Sequence, residues 1–207
     1  MKGVFKMGKL IVLEGIDGSG KTTLSDKLRV SYPDFKYYAE PGGASASVEM
    51  RRIALNNKLS PASEALLYAS ARAQFIDTVL TKKLEKYNVI LDRYFYSSLA
   101  YQGAGDELSL NWLSDINRLD LIPEPDLLII LKPTFNTVST IGDKDIIESR
   151  SNDYFERVSK YYDKLSTLPY AHTLRFDEGE RGLLLNKAKG LINELMEDRN
   201  EKIHYSK

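Results

Sequence analysis

The chain has 207 residues, 43% of them hydrophobic, enough for one α/β domain with a sizeable core. Its 29 basic and 29 acidic side chains give zero formal net charge, which argues against a long nucleic-acid partner, and the lack of cysteine excludes disulfides, thiolate catalysis and zinc–thiolate sites. No apolar run approaches the roughly 20 residues of a transmembrane helix and the first nine residues do not read as a signal peptide, so a soluble, cytoplasmic chain without a membrane partner is expected.

Residues 9–14 (KLIVLE) form a short apolar run and predict a buried strand. Gly15-Ile16-Asp17-Gly18-Ser19-Gly20-Lys21-Thr22 follows and fits G-x-x-x-x-G-K-[ST]; residues 22–30 then place Leu24 and Leu28 at helical spacing. Strand, glycine turn and helix start are the context a phosphate-binding loop requires. The glycines let successive N–H groups curl around an anion, and the helix N-terminus adds unpaired donors and partial positive charge. In that cradle Gly15, Gly18, Ser19, Gly20 and Thr23 surround the donor phosphates, Lys21 reaches the β- and γ-phosphates, and the Thr22 hydroxyl ligates Mg²⁺. The motif specifies nucleotide phosphates without separating a kinase from a GTPase or an ATPase.

Residues 35–39 (FKYYA) predict a second strand, ended by Pro41-Gly42-Gly43. Residues 48–55 predict a short helix that carries Arg51 and Arg52. Ser60-Pro61 reads as an N-cap and first helical position, opening a helix expected to run to about residue 86. Residues 88–92 (NVILD) predict a buried strand that ends on Asp92-Arg93. Helices are expected from near Ser97 and over 110–121, a buried strand over 126–131 (DLLIIL), a last strand at 173–176, a closing helix over 183–197 and a loose polar tail from 199. Residues 134–152 are polar and mix Gly142, Lys144, Glu148 and Arg150; they read equally as a surface loop leading into a helix or as a short mobile lid that carries positive charge over the phosphates.

Alternating strands and helices with apolar strands predict one α/β domain over 1–207, a P-loop NTPase-type parallel sheet covered by helices on both faces. Right-handed crossovers bring the strand C-terminal ends to one side, so the glycine loop, Glu40-Pro41-Gly42-Gly43 and Asp92-Arg93 should meet at one crevice. His172 and His204 fall outside these motifs, and no N-K-x-D or D-x-x-G stands where a switch GTPase needs it.

Asp92-Arg93 continues into Tyr94-Phe95-Tyr96-Ser97-Ser98-Leu99-Ala100-Tyr101-Gln102-Gly103. That string sets rings, hydroxyls and a carboxamide beside a phosphate clamp, groups that read a nucleobase and sugar. With it the chain resembles the thymidylate kinase family. The matching pieces are G-I-D-G-S-G-K-T-T, the turn Glu40-Pro41-Gly42-Gly43, the helix Leu66-Leu67-Tyr68-Ala69-Ser70-Ala71-Arg72-Ala73-Gln74, the 92–103 string, Pro125-Asp126-Leu127, and Asp153-Tyr154-Phe155-Glu156-Arg157-Val158.

The resemblance implies transfer of the γ-phosphoryl of ATP to dTMP, with Mg²⁺, in a homodimer. Carried over by position, it implies that Asp17 contacts the sugar 3′-hydroxyl and that Arg93 binds the dTMP phosphate with Asp92 near the metal. Tyr68 stacks on thymine, Arg72 bonds its O4, Ser98 or Gln102 reads the pyrimidine edge, and Tyr101 crowds the 2′ position. Arg52 is a further candidate on the acceptor-phosphate side. The chain departs from the pattern at Ala39 and Ala44, where members often have arginine and threonine, and it lacks a basic residue between Asp17 and Lys21. The catalytic cation is therefore expected from the lid side, with Arg150 as first candidate, ahead of Lys144 and Arg157. The alternatives are a deoxynucleoside-monophosphate kinase of broader pyrimidine specificity and a catalytically silent P-loop protein.

Overall fold

The computed structural model describes residues 8–134 and 150–204, with side chains to 197. Most of the expected 134–152 lid, Lys144 included, lies outside the described residues; Thr134 and Arg150 lie inside.

Among the described residues, five strands form one all-parallel sheet: β1 (Leu10–Glu14), β2 (Lys36–Ala39), β3 (Val89–Asp92), β4 (Leu127–Pro133) and β5 (Ala171–Phe176), in the order β2-β3-β1-β4-β5. The apolar runs are continuous because both faces are covered. Leu10 and Val12 of β1 face one core with Phe75, Leu80 and Leu84, whereas Ile11 and Leu13 face the other with Leu24, Leu28 and Ile192. Helix α1 (Lys21–Ser31) leaves β1 toward the second core, while the segment that follows β3 buries Tyr96, Ala100 and Tyr101 in the first. The neighbours β1 and β3, in register at Leu13 and Asp92, thus feed opposite faces, and a crevice opens between their carboxyl ends.

Helix α2 (Ser45–Asn56) packs beside α3 (Pro61–Phe75), whose N-cap Ser60 Oγ accepts from Ser63 N at 3.2 Å. The helix expected to about residue 86 continues through a π-helical turn, Ile76–Leu80, into α4 (Thr81–Leu84). After β3, α5 (Phe95–Ser98) gives way to a wide π-helical segment, Leu99–Gly105. Helix α6 (Leu110–Asn117) stops four residues before its expected end, because Arg118 turns left-handed at φ 52°. Helix α7 (Asn152–Leu165), expected only as what a loop would lead into, seats Tyr154, Val158, Tyr162 and Leu165 against the sheet at three- and four-residue spacing. A 3₁₀ turn, Glu178–Leu183, precedes α8 (Leu184–His204), so the tail expected to be loose from 199 is helical to His204.

Candidate active site

The glycine loop is shaped by two backbone demands. Gly15 sits at φ 142°, and a Cβ there would lie 2.4 Å from the Leu131 carbonyl oxygen of the neighbouring strand. Gly20, at φ 91°, caps α1 in a left-handed conformation that favours glycine. Lys21 folds back into the loop: its Nζ donates to the Gly15 and Ile16 carbonyls at 2.9 Å each and lies 3.4 Å from Ser19 Oγ. Burial, and then repulsion from Arg93, lower the ammonium to about 8 against the pull of Asp17, Asp92 and Glu14. Thr22 Oγ1 donates to Asp92 Oδ2 at 2.7 Å, so a hydroxyl and a carboxylate oxygen stand together at the head of α1. Gly18, Thr23 and Arg181 complete this donor-side cleft.

Arg93 is the hinge of the site. Its backbone is left-handed, φ 70°, and its N–H donates to Leu13 O at 2.9 Å. Its guanidinium pairs with Asp17, donates to Ser97 Oγ at 3.0 Å, and lies 5.2 Å from the Tyr101 ring centroid. Tyr101 Oη donates to Asp17 Oδ2 at 2.8 Å and accepts from Asp17 N at 3.1 Å. Burial works against the Asp17 charge, but Arg93, Lys21 and the tyrosine together outweigh it and hold the carboxyl below its ordinary value. The strained turn is held by Glu14, fully buried at the end of β1. It accepts from Tyr94 N (2.8 Å), Ser97 N (3.1 Å), Ser97 Oγ (2.8 Å) and Tyr162 Oη (2.9 Å).

On the acceptor side, Glu64, Tyr68 and Arg72 lie one helical turn apart on the inner face of α3, and all three are buried. Arg72 donates Nε to Glu40 Oε2 at 2.6 Å, Nη1 to Asn117 Oδ1, and Nη2 to Ser98 Oγ at 3.2 Å. A guanidinium has five N–H groups, so two have no partner among the described residues and can serve a ligand. Burial raises Glu40 to about 7 in spite of Arg72, and its Oε1 is buried without a partner among the described residues. Tyr68, Arg72, Ser98, Tyr101 and Gln102 line one cavity with Arg93.

The expected residues are thus brought together around one crevice, with three exceptions, of which Arg157 lines neither cavity and donates to the Ala104 and Gly105 carbonyls at 3.1 and 2.7 Å. Arg52 projects outward, two-thirds exposed and paired with Glu49 at 2.9 Å; its neighbour Arg51 lines both cavities and reaches the Pro41 carbonyl at 3.3 Å. Arg150 does not line either cavity: Asp106 takes its Nη1 through both oxygens at 2.7 Å, and Glu64 takes its Nη2 at 2.9 Å. Sequence alone does not single out Glu14, Glu64, Arg51 or Asn117. Glu14 had a signal, a charge that ends an apolar strand as Asp92 does, and Glu64 had the four-residue spacing to Tyr68 and Arg72. No helix among the described residues is long and apolar enough to cross a membrane.

A glycine-loop cleft and a base-sized cavity that share Asp17, Glu40, Arg51 and Arg93 as a common wall define a P-loop phosphotransferase that moves phosphoryl between two small molecules. The family model for thymidylate kinase matches residues 13–176. A thymidylate kinase of Desulforudis audaxviator is 35% identical over 96% of this chain and 94% of its own, and one of Pelotomaculum thermopropionicum is 38% identical over 75% and 78%. The crystal structure of thymidylate kinase from Ehrlichia chaffeensis superposes with a TM-score of 0.68 at 25% identity, covering 81% of this chain and 87% of that one. The chain belongs to the thymidylate kinase family.

Proposed function

We propose that this protein is a dTMP kinase, which transfers the γ-phosphoryl of ATP to dTMP and yields dTDP and ADP. The observation that carries the reading is the shared wall: Asp17, Glu40, Arg51 and Arg93 line both cavities, so an acceptor phosphate held by Arg93 would face a donor phosphate held by the glycine loop. The acceptor is already an anion, so the work of the site is alignment and charge neutralisation rather than proton removal. Lys21 exchanges its two carbonyl partners for donor phosphate oxygens. Arg93 clamps the acceptor phosphate, and Arg51 adds charge from α2. Tyr68 supplies a ring face for thymine, Arg72 and Ser98 polar contacts on the base edge, and Tyr101, fixed by Asp17, closes the sugar side.

The donor set at Thr22 and Asp92 fits Mg²⁺, a hard cation that takes oxygen ligands and keeps waters and phosphates in its shell. Thr22 Oγ1 and Asp92 would hold it, and it would supply neutralisation of the β- and γ-phosphate charge. A cytoplasmic homodimer belongs to the same proposal, supported by the outward-facing Val48, Ile53 and Leu66 on the adjacent α2 and α3.

The test is ADP release with Mg²⁺-ATP against dTMP, dUMP, dCMP, dGMP, UMP and AMP, each alone. Turnover that depends on dTMP is expected. Protein that binds ATP but responds to no monophosphate would leave a nucleotide-binding protein without this activity.

A further inference from the structure

Gln102 is the one carboxamide among the described residues lining the acceptor cavity. An amide side chain offers a donor or an acceptor according to which way it is turned. Taken alone it does not distinguish a pyrimidine with N–H at position 3 from one with a lone pair there. Here that freedom is removed. Gln102 Nε2 donates to Glu64 Oε1 at 2.7 Å, and an ionised carboxylate only accepts. Turning the amide over would set its oxygen against a carboxylate oxygen inside a site where both side chains are almost fully buried. The Gln102 oxygen is therefore left for the cavity, and no described donor is bonded to it.

Glu64 is itself fixed. Its Oε2 accepts from Arg150 Nη2 at 2.9 Å, and Arg150 is anchored by both oxygens of Asp106 at 2.7 Å and by Tyr154 Oη at 2.5 Å. Arg72 lines the same cavity, and its N–H groups not taken by Glu40, Asn117 and Ser98 supply donors there. Donor followed by acceptor complements the O4 and N3–H edge of a 2,4-dioxopyrimidine and opposes the amino group and bare N3 of cytosine.

We propose that Glu64, braced by Arg150, is a positioning residue that locks Gln102 as a hydrogen-bond acceptor and so makes the site reject cytosine-type monophosphates. The assignment rests on the dTMP kinase reading. It gives Arg150 a role in base selection in place of the catalytic cation expected from the sequence.

The experiment compares kcat/KM for dTMP and 5-methyl-dCMP, which share the methyl group and differ at the edge that Gln102 and Arg72 face. Glu64→Gln keeps the size of the side chain but lets it donate to a turned Gln102. The dTMP/5-methyl-dCMP ratio is expected to fall about tenfold, the size of one mismatched polar contact, with the loss on dTMP mainly in KM and the KM for ATP unchanged. Arg150→Met, which leaves the Glu64 carboxylate in place, should move the ratio the same way by less. An unchanged ratio in folded Glu64→Gln, or equal losses on both substrates, overturns the proposal. Should Glu64→Gln not fold, Arg150→Met decides: an unchanged ratio there, or a fall in kcat alone, overturns it. Wild-type protein that does not turn over dTMP overturns the function instead.

Discussion

The donor and acceptor halves of the crevice are built in opposite ways. The donor half is centred on the backbone of one stretch of chain, with three glycines in conformations that other residues resist, one helix N-terminus and one lysine; Asp92 and Arg181 join it from elsewhere. The acceptor half is side chains gathered from distant segments: Glu40 after β2, Tyr68 and Arg72 on α3, Ser98 and Gln102 after β3, and Asn117 on α6. A site made of backbone is specified locally and holds any nucleotide triphosphate. A site made of mutually bonded side chains specifies one base, and it depends on the whole fold.

That contrast can be broken at several points. The largest effects are expected where the halves touch: Lys21→Ala and Arg93→Ala should each lower kcat by about 10³-fold or more, because each removes a charge aligned with the transferring group. Steady-state kinetics on protein with a native circular dichroism spectrum checks this. Next comes Arg72→Met, which should abolish useful dTMP binding and also cost about 3 kcal/mol of stability, since it strands the buried Glu40. Adding Glu40→Gln should restore most of the stability and none of the binding, as read by urea denaturation and dTMP titration. No such rescue would mean that the pair acts in packing rather than charge.

A smaller effect is expected from pH. Lys21 is lowered to about 8 in the free protein, so its charge is present below that value and lost above it. ATP needs the charged form. The kcat/KM for ATP should therefore fall about tenfold per pH unit once well above pH 8, while kcat, which reports the phosphate-bound lysine, should hold to higher pH. A flat kcat/KM profile to pH 10 would contradict this. The smallest effects separate the adjacent arginines: Arg51→Ala should raise the KM for dTMP about tenfold, and Arg52→Ala should change it less than about twofold, as its pair with Glu49 is solvated.

The same contrast explains what the sequence alone could reveal. The glycine loop, β1 and α1 are local, so motif and spacing place them. The two-face burial of β1 and β3 follows from unbroken apolar runs. Tyr68 and Arg72 lie one turn apart, and helical geometry alone puts them on one face. Asn117 has no such cue: it meets Arg72 across 45 positions of sequence, at the end of a helix whose stop depends on one left-handed residue. Arg51 and Arg52 are adjacent, and which one faces the crevice turns on about 100° of helix rotation that motif spacing does not resolve. Sequence offers Arg150 as a lid-side cation and gives no sign of its partners, because Glu64 and Asp106 stand 86 and 44 positions away. The Glu14 contacts arise only once Tyr162 of α7 and the Arg93 turn have folded over it.

The wall common to both cavities also constrains how such an enzyme can diversify. A change at Asp17 or Arg93 disturbs donor and acceptor at once, so neither position offers a route to a new substrate that keeps turnover intact. Positions 68, 72 and 102 line only the acceptor cavity, on the inner face of α3 and in the wide turn after α5, and position 64 backs 102. Lineages that explore other nucleobases must drift through those few sites, and a library for altered specificity is best confined to them.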